Sequence, residues 1–428
     1  MISRSIFILV LISSAAVSSI AAPSSLSISQ SLSLSLSLTE AQRLATANAP
    51  QLAAQSAALR AAQQSRIGAE QLADPKLIIG IDNLPVDGAD RYSVARDFMT
   101  MRKIGFMQEF TRSEKLQLRG SRADAEIRKE AALLSVAEVN LRRDVALAWI
   151  DRYFAERQRA LLMEMSRESE LQITATTAAL AGGKGMAADP FAAKLAFAQL
   201  ADRLIDSERM ITRAQATLGR WIGGAAKLPL DAPPVFDQLA SDHARVTTNL
   251  EEHPHLAMYA PMQAMAESDM RLAQAAKYPD WSLEVAYQQR GPAFSNMVSI
   301  GVKIDLPILQ SRRQDPAIAA KAAMVEQIRA QSEDARRALT AELESMVADW
   351  DAAAKRVQRY ASDLVPLARE RSAVALAAYR GGRGDLTPVL EARKVEIETR
   401  MNQLAAHNEL ARAWANLNFQ LPEFKDSK

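Results

Sequence analysis

Apolar residues recur at helical spacing from 113 to 180, a stretch with no proline and one glycine, Gly120. At about 1.5 Å per residue, roughly 65–70 residues make a rod on the order of 100 Å long. Such a rod cannot fold back on itself, so its apolar stripe must pack along other helices, as in a coiled coil. Ahead of it, Thr39-Glu40-Ala41-Gln42 reads as a capping box that starts a helix. Pro50 marks a local break, after which this helix runs to about Leu72. At the far end of the rod Gly182-Gly183-Lys184-Gly185 turns the chain, and 187–222 returns as helix. The second half predicts the same parts: a helix near 252–276, a long one near 316–379 that Pro366 should kink, and a return over Leu386–Asn418.

Two pairs of short runs with a period of two precede the rods. In 282–288, Leu283, Val285 and Tyr287 share one face, and Ser282, Glu284, Ala286 and Gln288 the other. In 298–306, Val298, Ile300, Val302, Ile304 and Leu306 oppose Ser299, Gly301, Lys303 and Asp305. The first pair reads alike, with Leu77, Ile79 and Ile81 against Gly80 and Asp82. Its second strand sets Ile104, Phe106 and Phe110 against Lys103, Gly105, Met107 and Glu109. A smooth apolar face opposite a charged one fits either a half-buried soluble hairpin or a strand of a transmembrane barrel. We expect the barrel, because no other element is available to cover two hairpins flanked by rods. Four strands cannot close a pore, since small barrels start at about eight. Three copies bring about twelve strands and as many rods. Asp82, Lys103, Glu109, Glu284, Lys303 and Asp305 then line the lumen, with Trp281 and Tyr287 in an aromatic girdle.

These parts are written twice. Pro50 and Pro75 recur as Pro254 and Pro279, and Gly105 as Gly301. The glycine turn recurs as Gly381-Gly382-Arg383-Gly384, and a proline follows each turn, Pro190 and Pro388. Landmarks in one order at a shift of roughly 200 residues mark a duplication. The chain divides into a first repeat at 38–222, a proline-bearing linker at 223–247, and a second repeat at 248–422. The expected fold is mainly α with a small β part: a duplicated helix–β-hairpin–helix unit.

Residues 1–22 read as a signal peptide, with Arg4, an apolar run, and small residues near Ala21 and Ala22. Residues 23–37 form an arm rich in Ser and Leu, of low complexity. Beyond it no run approaches ~18 consecutive apolar residues, so no transmembrane helix is expected. Composition sharpens this picture. The chain is 48% hydrophobic but 5% aromatic, with 16 glycines in 428 residues, which suits helix packing and disfavours glycine-rich nucleotide-binding folds. With 52 basic and 50 acidic residues it lacks the one-sided charge of a nucleic-acid binder. It has no cysteine, hence no disulfide, thiolate metal site or lipidated N-terminal cysteine. There is no P-loop, no GxGxxG after a strand and no His-Glu-x-x-His, so neither an enzyme nor a cofactor is expected.

Leu38-Thr39-Glu40-Ala41-Gln42 with Asn48-Ala49-Pro50-Gln51-Leu52 resembles the opening motif of TolC-type outer-membrane factors. The run from Tyr379 through Gly384-Asp385-Leu386-Thr387-Pro388 to Ala392 resembles the periplasmic tip of their second repeat. Asp74-Pro75-Lys76-Leu77, Asp82-Asn83-Leu84-Pro85-Val86 and Asp97-Phe98-Met99-Thr100-Met101 look like the heavy-metal (CzcC- and CusC-like) branch. The resemblance spans about 38 to 422. It implies a homotrimer with a twelve-stranded barrel in outer-membrane lipid and an α-helical tunnel across the periplasm of a Gram-negative bacterium. It also implies docking to a periplasmic adaptor (membrane fusion) protein and an inner-membrane proton-driven RND transporter. The expected function is the exit duct of such a pump for heavy-metal cations. The alternatives are a duct for organic drugs or type I protein secretion, or, in another class, a soluble periplasmic coiled-coil adaptor or scaffold.

The tip charges Lys184, Asp189, Arg383, Asp385 and Glu391 are candidates for gating or adaptor docking, against the plainer reading of solvated turns. Asp189 and Asp385 also sit where helix N-caps belong. In family members, carboxylates near the second tip narrow the entrance; matching positions here carry Glu391 and Pro388. The basic cluster Arg112, Lys115, Arg119, Arg122, Arg312 and Arg313 stands where the rods leave the strands, facing lipid headgroups or solvent. His253-Pro254-His255 reads as cap and loop rather than a metal site, and Met99 and Met101 as core or loop residues.

Overall fold

The computed structural model describes residues 35–183, 186–239, 250, 253–383 and 385–420. The expected signal, most of the arm, Lys184 and much of the linker lie outside them. The first repeat contains α1 (Leu38–Asn48), α2 (Pro50–Ala69), β1 (Lys76–Asp82), β2 (Met101–Phe110), α3 (Ser113–Ala181) and α4 (Asp189–Ile222). After a 3-10 turn at Gly223–Lys227 and a short turn of helix at Pro254–Ala257 comes α5 (Tyr259–Ala275). Then follow β3 (Trp281–Gln289), β4 (Met297–Ile304), α6 (Gln314–Arg359), a π-helical turn (Tyr360–Leu364), α7 (Val365–Arg380) and α8 (Leu386–Asn418).

The helix ends follow from local chemistry. The first cap is Ser37, two residues earlier than expected: its side chain accepts the Glu40 N–H at 3.1 Å. Serine reaches that donor from the residue preceding the helix, whereas Thr39 is already inside it. Pro50 holds Ala49 in an extended conformation, which separates α1 from α2. α2 ends at Ala69, short of Leu72. α3 spans 69 residues, a rod of about 100 Å. Its lone glycine has a packing reason: a Cβ on Gly120 would lie 1.9 Å from Glu70 Oε1, so the end of α2 presses against the rod there.

The disturbance expected at Pro366 takes the form of a π-turn that interrupts the helix. The helix widens into the π-turn just before it, and α7 begins with the proline in its first turn. A wide turn spares the carbonyl that a proline ring would strike and leaves no N–H wanting a partner.

The main core lies midway along the rods. Leu141, Val145, Trp149 and Ile150 of α3 meet Leu38, Ala41 and Ala45 of α1, Leu218 of α4, and Trp414 and Ala415 of α8. Trp149 is 0% exposed, and its indole N–H donates to the Leu36 carbonyl at 3.1 Å. Leu36 in turn pairs with Leu230, so the end of the arm is tied to the chain that follows α4. Buried Arg152 donates to the Ala226 and Leu228 carbonyls, capping the 3-10 turn. A second cluster nearer the tip joins Leu162, Met165 and Leu200 with Ile397 and Met401.

The strands form one antiparallel sheet in the order β1-β2-β3-β4, so the two hairpins join through β2 and β3.

Candidate functional site

Register sorts the sheet into two faces. Lys103 stands opposite Gly80 and Gln288, Met107 opposite Lys76 and Glu284, and Ser282 opposite Lys303. One face therefore gathers Asp82, Lys103, Glu109, Glu284 and Lys303. Glu284 lies between two lysines, 2.6 Å from Lys103 Nζ and 2.7 Å from Lys303 Nζ, so one carboxylate links three strands. Lys76 and Glu109 form a looser pair at 3.8 Å. Asp305 departs from expectation: β4 ends at Ile304, and the Asp305 N–H donates to the Asp280 carbonyl at 3.2 Å, where the strand gives way to the connection to α6.

The other face is apolar and open. Ile79 and Ile300 are each 73% exposed on the two edge strands, with Ile104, Phe106 and Val285 on the strands between them and Val302 beyond Ile300 on β4. Trp281 stacks on Phe110 at 4.3 Å, while Tyr287 lies near the other end of β3. An apolar sheet face this exposed lacks the cover that a soluble hairpin needs.

Where the rods leave the sheet, the basic cluster divides. Lys115 turns inward to Asp280 at 2.7 Å and the Tyr278 carbonyl at 2.9 Å, and Arg122 pairs with Asp269 at 2.7 Å. Lys115 thus serves helix-to-sheet packing and Arg122, its side chain still 44% exposed, bridges two helices; Arg112, Arg119, Arg312 and Arg313 are exposed. The sequence offers no local signal for such pairs, because Asp280 and Asp269 belong to the other repeat.

At the far end the two glycine turns have matching geometry. Gly183 and Gly382 adopt φ of 68° and 69°, and Gly182 and Gly381 donate to the carbonyls of Ala178 and Ala377. Asp189 is not an N-cap but the first residue of α4, and its carboxylate accepts the Met186 N–H at 3.0 Å. Asp385 does hold the N-cap position of α8, without a side-chain capping bond. The two tips lie close together, Ala192 and Leu195 lining one cavity with Tyr379 and Leu386, and burial, with the Asp189 charge nearby, pushes the Tyr379 phenol up. Arg383 and Glu391 are exposed. Glu391 lines a cavity of about 610 Å³ between the two helical hairpins, with Gln172, Leu195, Tyr379, Thr387 and Arg393. Ion pairs missed in the sequence cross this region: Arg393 reaches Glu168 at 3.3 Å and Arg400 reaches Glu164 at 3.1 Å.

His253 is 1% exposed, with Nε2 3.2 Å from Gln420 Oε1 and Nδ1 accepting the His255 N–H. Both ring nitrogens are thus occupied by the fold. Among the described residues no three His, Asp or Glu side chains gather as a metal site, and no helix is long and apolar enough to cross a membrane.

These features, two helical hairpins joined to one two-faced sheet, define a class by fold. Residues 246–421 match the family model described as outer membrane efflux protein. A membrane protein from Pseudomonas aeruginosa is similar over 90% of this chain and 93% of its own, with a TM-score of 0.77 and 16% identity. CusC, in a study of its folding and transmembrane channel formation, gives a TM-score of 0.76 at 14% identity, covering 90% of this chain and 92% of its own. The outer membrane protein VceC of Vibrio cholerae gives 0.74 at 18% identity, over 89% and 94%. No curated protein sequence matches the chain. The fold is that of outer-membrane efflux channels, and the proteins of that family are channels rather than enzymes.

Proposed function

We propose that three copies of this chain form the outer-membrane exit duct of a tripartite efflux pump. The observation that carries this reading is the two-faced sheet: an exposed apolar face for lipid, a charged face for water, and no described strand beyond β1 or β4. The helical layer is open in the same sense. Phe191, Leu195 and Ile205 lie exposed along α4, and Leu367 and Val374 along α7, apolar edges suited to a neighbouring copy. Closure then joins β1 to the next copy's β4 and sets a twelve-stranded barrel above a helical tunnel.

The tips face the periplasm, where an adaptor protein and a proton-driven transporter of the RND type dock. Asp189, Arg383, Asp385 and Glu391 are the candidates for docking or gating, together with Lys184. The hairpin motif from Asp74 to Glu109 favours heavy-metal cations as cargo. Membrane fractionation and heat-modifiable migration test the duct: the chain is expected in the outer membrane as an oligomer that conducts ions in planar bilayers, and a freely soluble monomer overturns the reading. For cargo, a deletion strain is expected to gain sensitivity to Cu, Ag, Zn, Co or Cd. Sensitivity confined to dyes and antibiotics assigns the duct to organic drugs instead, and loss of a secreted protein assigns it to type I secretion.

A further inference from the structure

Three lysines and three carboxylates balance on the polar sheet face, and one residue carries most of that balance. Lys76 and Lys303 stand with Glu109 and Glu284 in the part of the face nearer the rods, while Lys103 lies towards the far end, diagonally across from Asp82 on β1. Lys76 and Glu109 are both largely in solvent and 3.8 Å apart, a loose association. Glu284 is different. Its side chain is 12% exposed, and its two oxygens are divided, Oε1 to Lys103 on β2 and Oε2 to Lys303 on β4. One carboxylate offsets two cations from flanking strands.

We propose that Glu284 sets the ionic preference of the barrel segment, keeping it from becoming anion-selective. This rests on the reading that the polar face lines a lumen. Water walled by hydrocarbon focuses the field of wall charges. Three copies place three such carboxylates at one level, each holding two lysines in check. Loss of the carboxylate leaves Lys303 without its partner and Lys103 with only the diagonal Asp82, one added positive charge on this face in every copy. A shift of about one kT in lumen potential changes the anion-to-cation ratio roughly sevenfold, because the two signs respond in opposite directions.

The test uses the full-length protein in planar bilayers under a KCl gradient, with the chloride-to-potassium permeability ratio read from the reversal potential. Glu284→Gln is expected to raise that ratio severalfold. Lys303→Gln, which leaves the Glu284–Lys103 pair in place, is expected to lower it, and the double variant to return it towards the starting value. A residue that only stapled the strands would instead lower the temperature at which the oligomer dissociates and leave the ratio unchanged. That result in Glu284→Gln overturns the proposal. If this variant does not assemble, an unchanged ratio in Lys303→Gln overturns it equally. An unsubstituted chain that gives no conductance refutes the duct itself, a failure distinct from an unaltered preference.

Discussion

At the scale of single residues, His253 shows how burial becomes a pH dependence. Desolvation holds its pKa below the usual histidine value, and the same cause lowers His255 and His407. A base with a depressed folded pKa takes up protons on unfolding, so stability is full above about pH 6.5 and falls as pH drops towards the folded values. Unfolding followed between pH 7 and 5 should show this slope. His253→Asn, whose side-chain oxygen can still accept the His255 N–H, should flatten it. Glu333 acts in a lower window: two arginines, Arg336 and Arg337, hold it at about 2, so the contribution of that exposed trio is lost only in stronger acid. Gly382 is a backbone case. Its φ of 69° lies in the left-handed region, and Gly382→Ala should destabilise the tip by about 1 kcal/mol. Gly183→Ala should do the same in the other tip, visible as faster amide exchange in the adjoining turns.

At the scale of elements, the arm and the rods show what a sequence can and cannot carry. Leu36 is fully buried and bonded to the chain after α4, although its Ser-Leu surroundings suggest only a loose arm. Leu36→Ala should cost roughly 2–4 kcal/mol, as for other buried leucines, and lower the thermal midpoint. Rods, strands and turns were legible because each rests on local periodicity or punctuation: the proline-free run of α3, the alternation of β3, the two glycine turns. Ser37 as the cap lay one motif away from Thr39-Glu40, since both readings place a hydroxyl and an acid near the start of α1. The π-turn was not legible, because Pro366 signals a disturbance but not the form it takes. Nor were Lys115–Asp280 and Arg393–Glu168, which the fold brings together from different repeats.

At the scale of the molecule, the exposed edges of the helical layer make a prediction about assembly. Phe191 is 72% exposed at the start of α4, so a charge placed there meets solvent in a lone copy. Phe191→Glu should therefore leave secondary structure intact while shifting the detergent-solubilised protein from oligomer to monomer, as measured by light scattering. Glu391 belongs to the same scale, because it stands at the cavity between the helical hairpins rather than in any one element. If it narrows the entrance, Glu391→Ala should raise the ion conductance of purified oligomers in planar bilayers; unchanged conductance removes it from the gate.

The open edges of the sheet have a consequence for the chain's passage from synthesis to its destination. β1 and β4 present backbone donors and acceptors on their outer sides, beside an uncovered apolar surface, which is the combination that templates runaway strand pairing. A solitary folded copy in water is thus prone to aggregate through these edges. In the proposed duct the hairpins must stay unpaired or shielded until lipid and sister chains are at hand, so the surface that would complete it also dictates the order of its building.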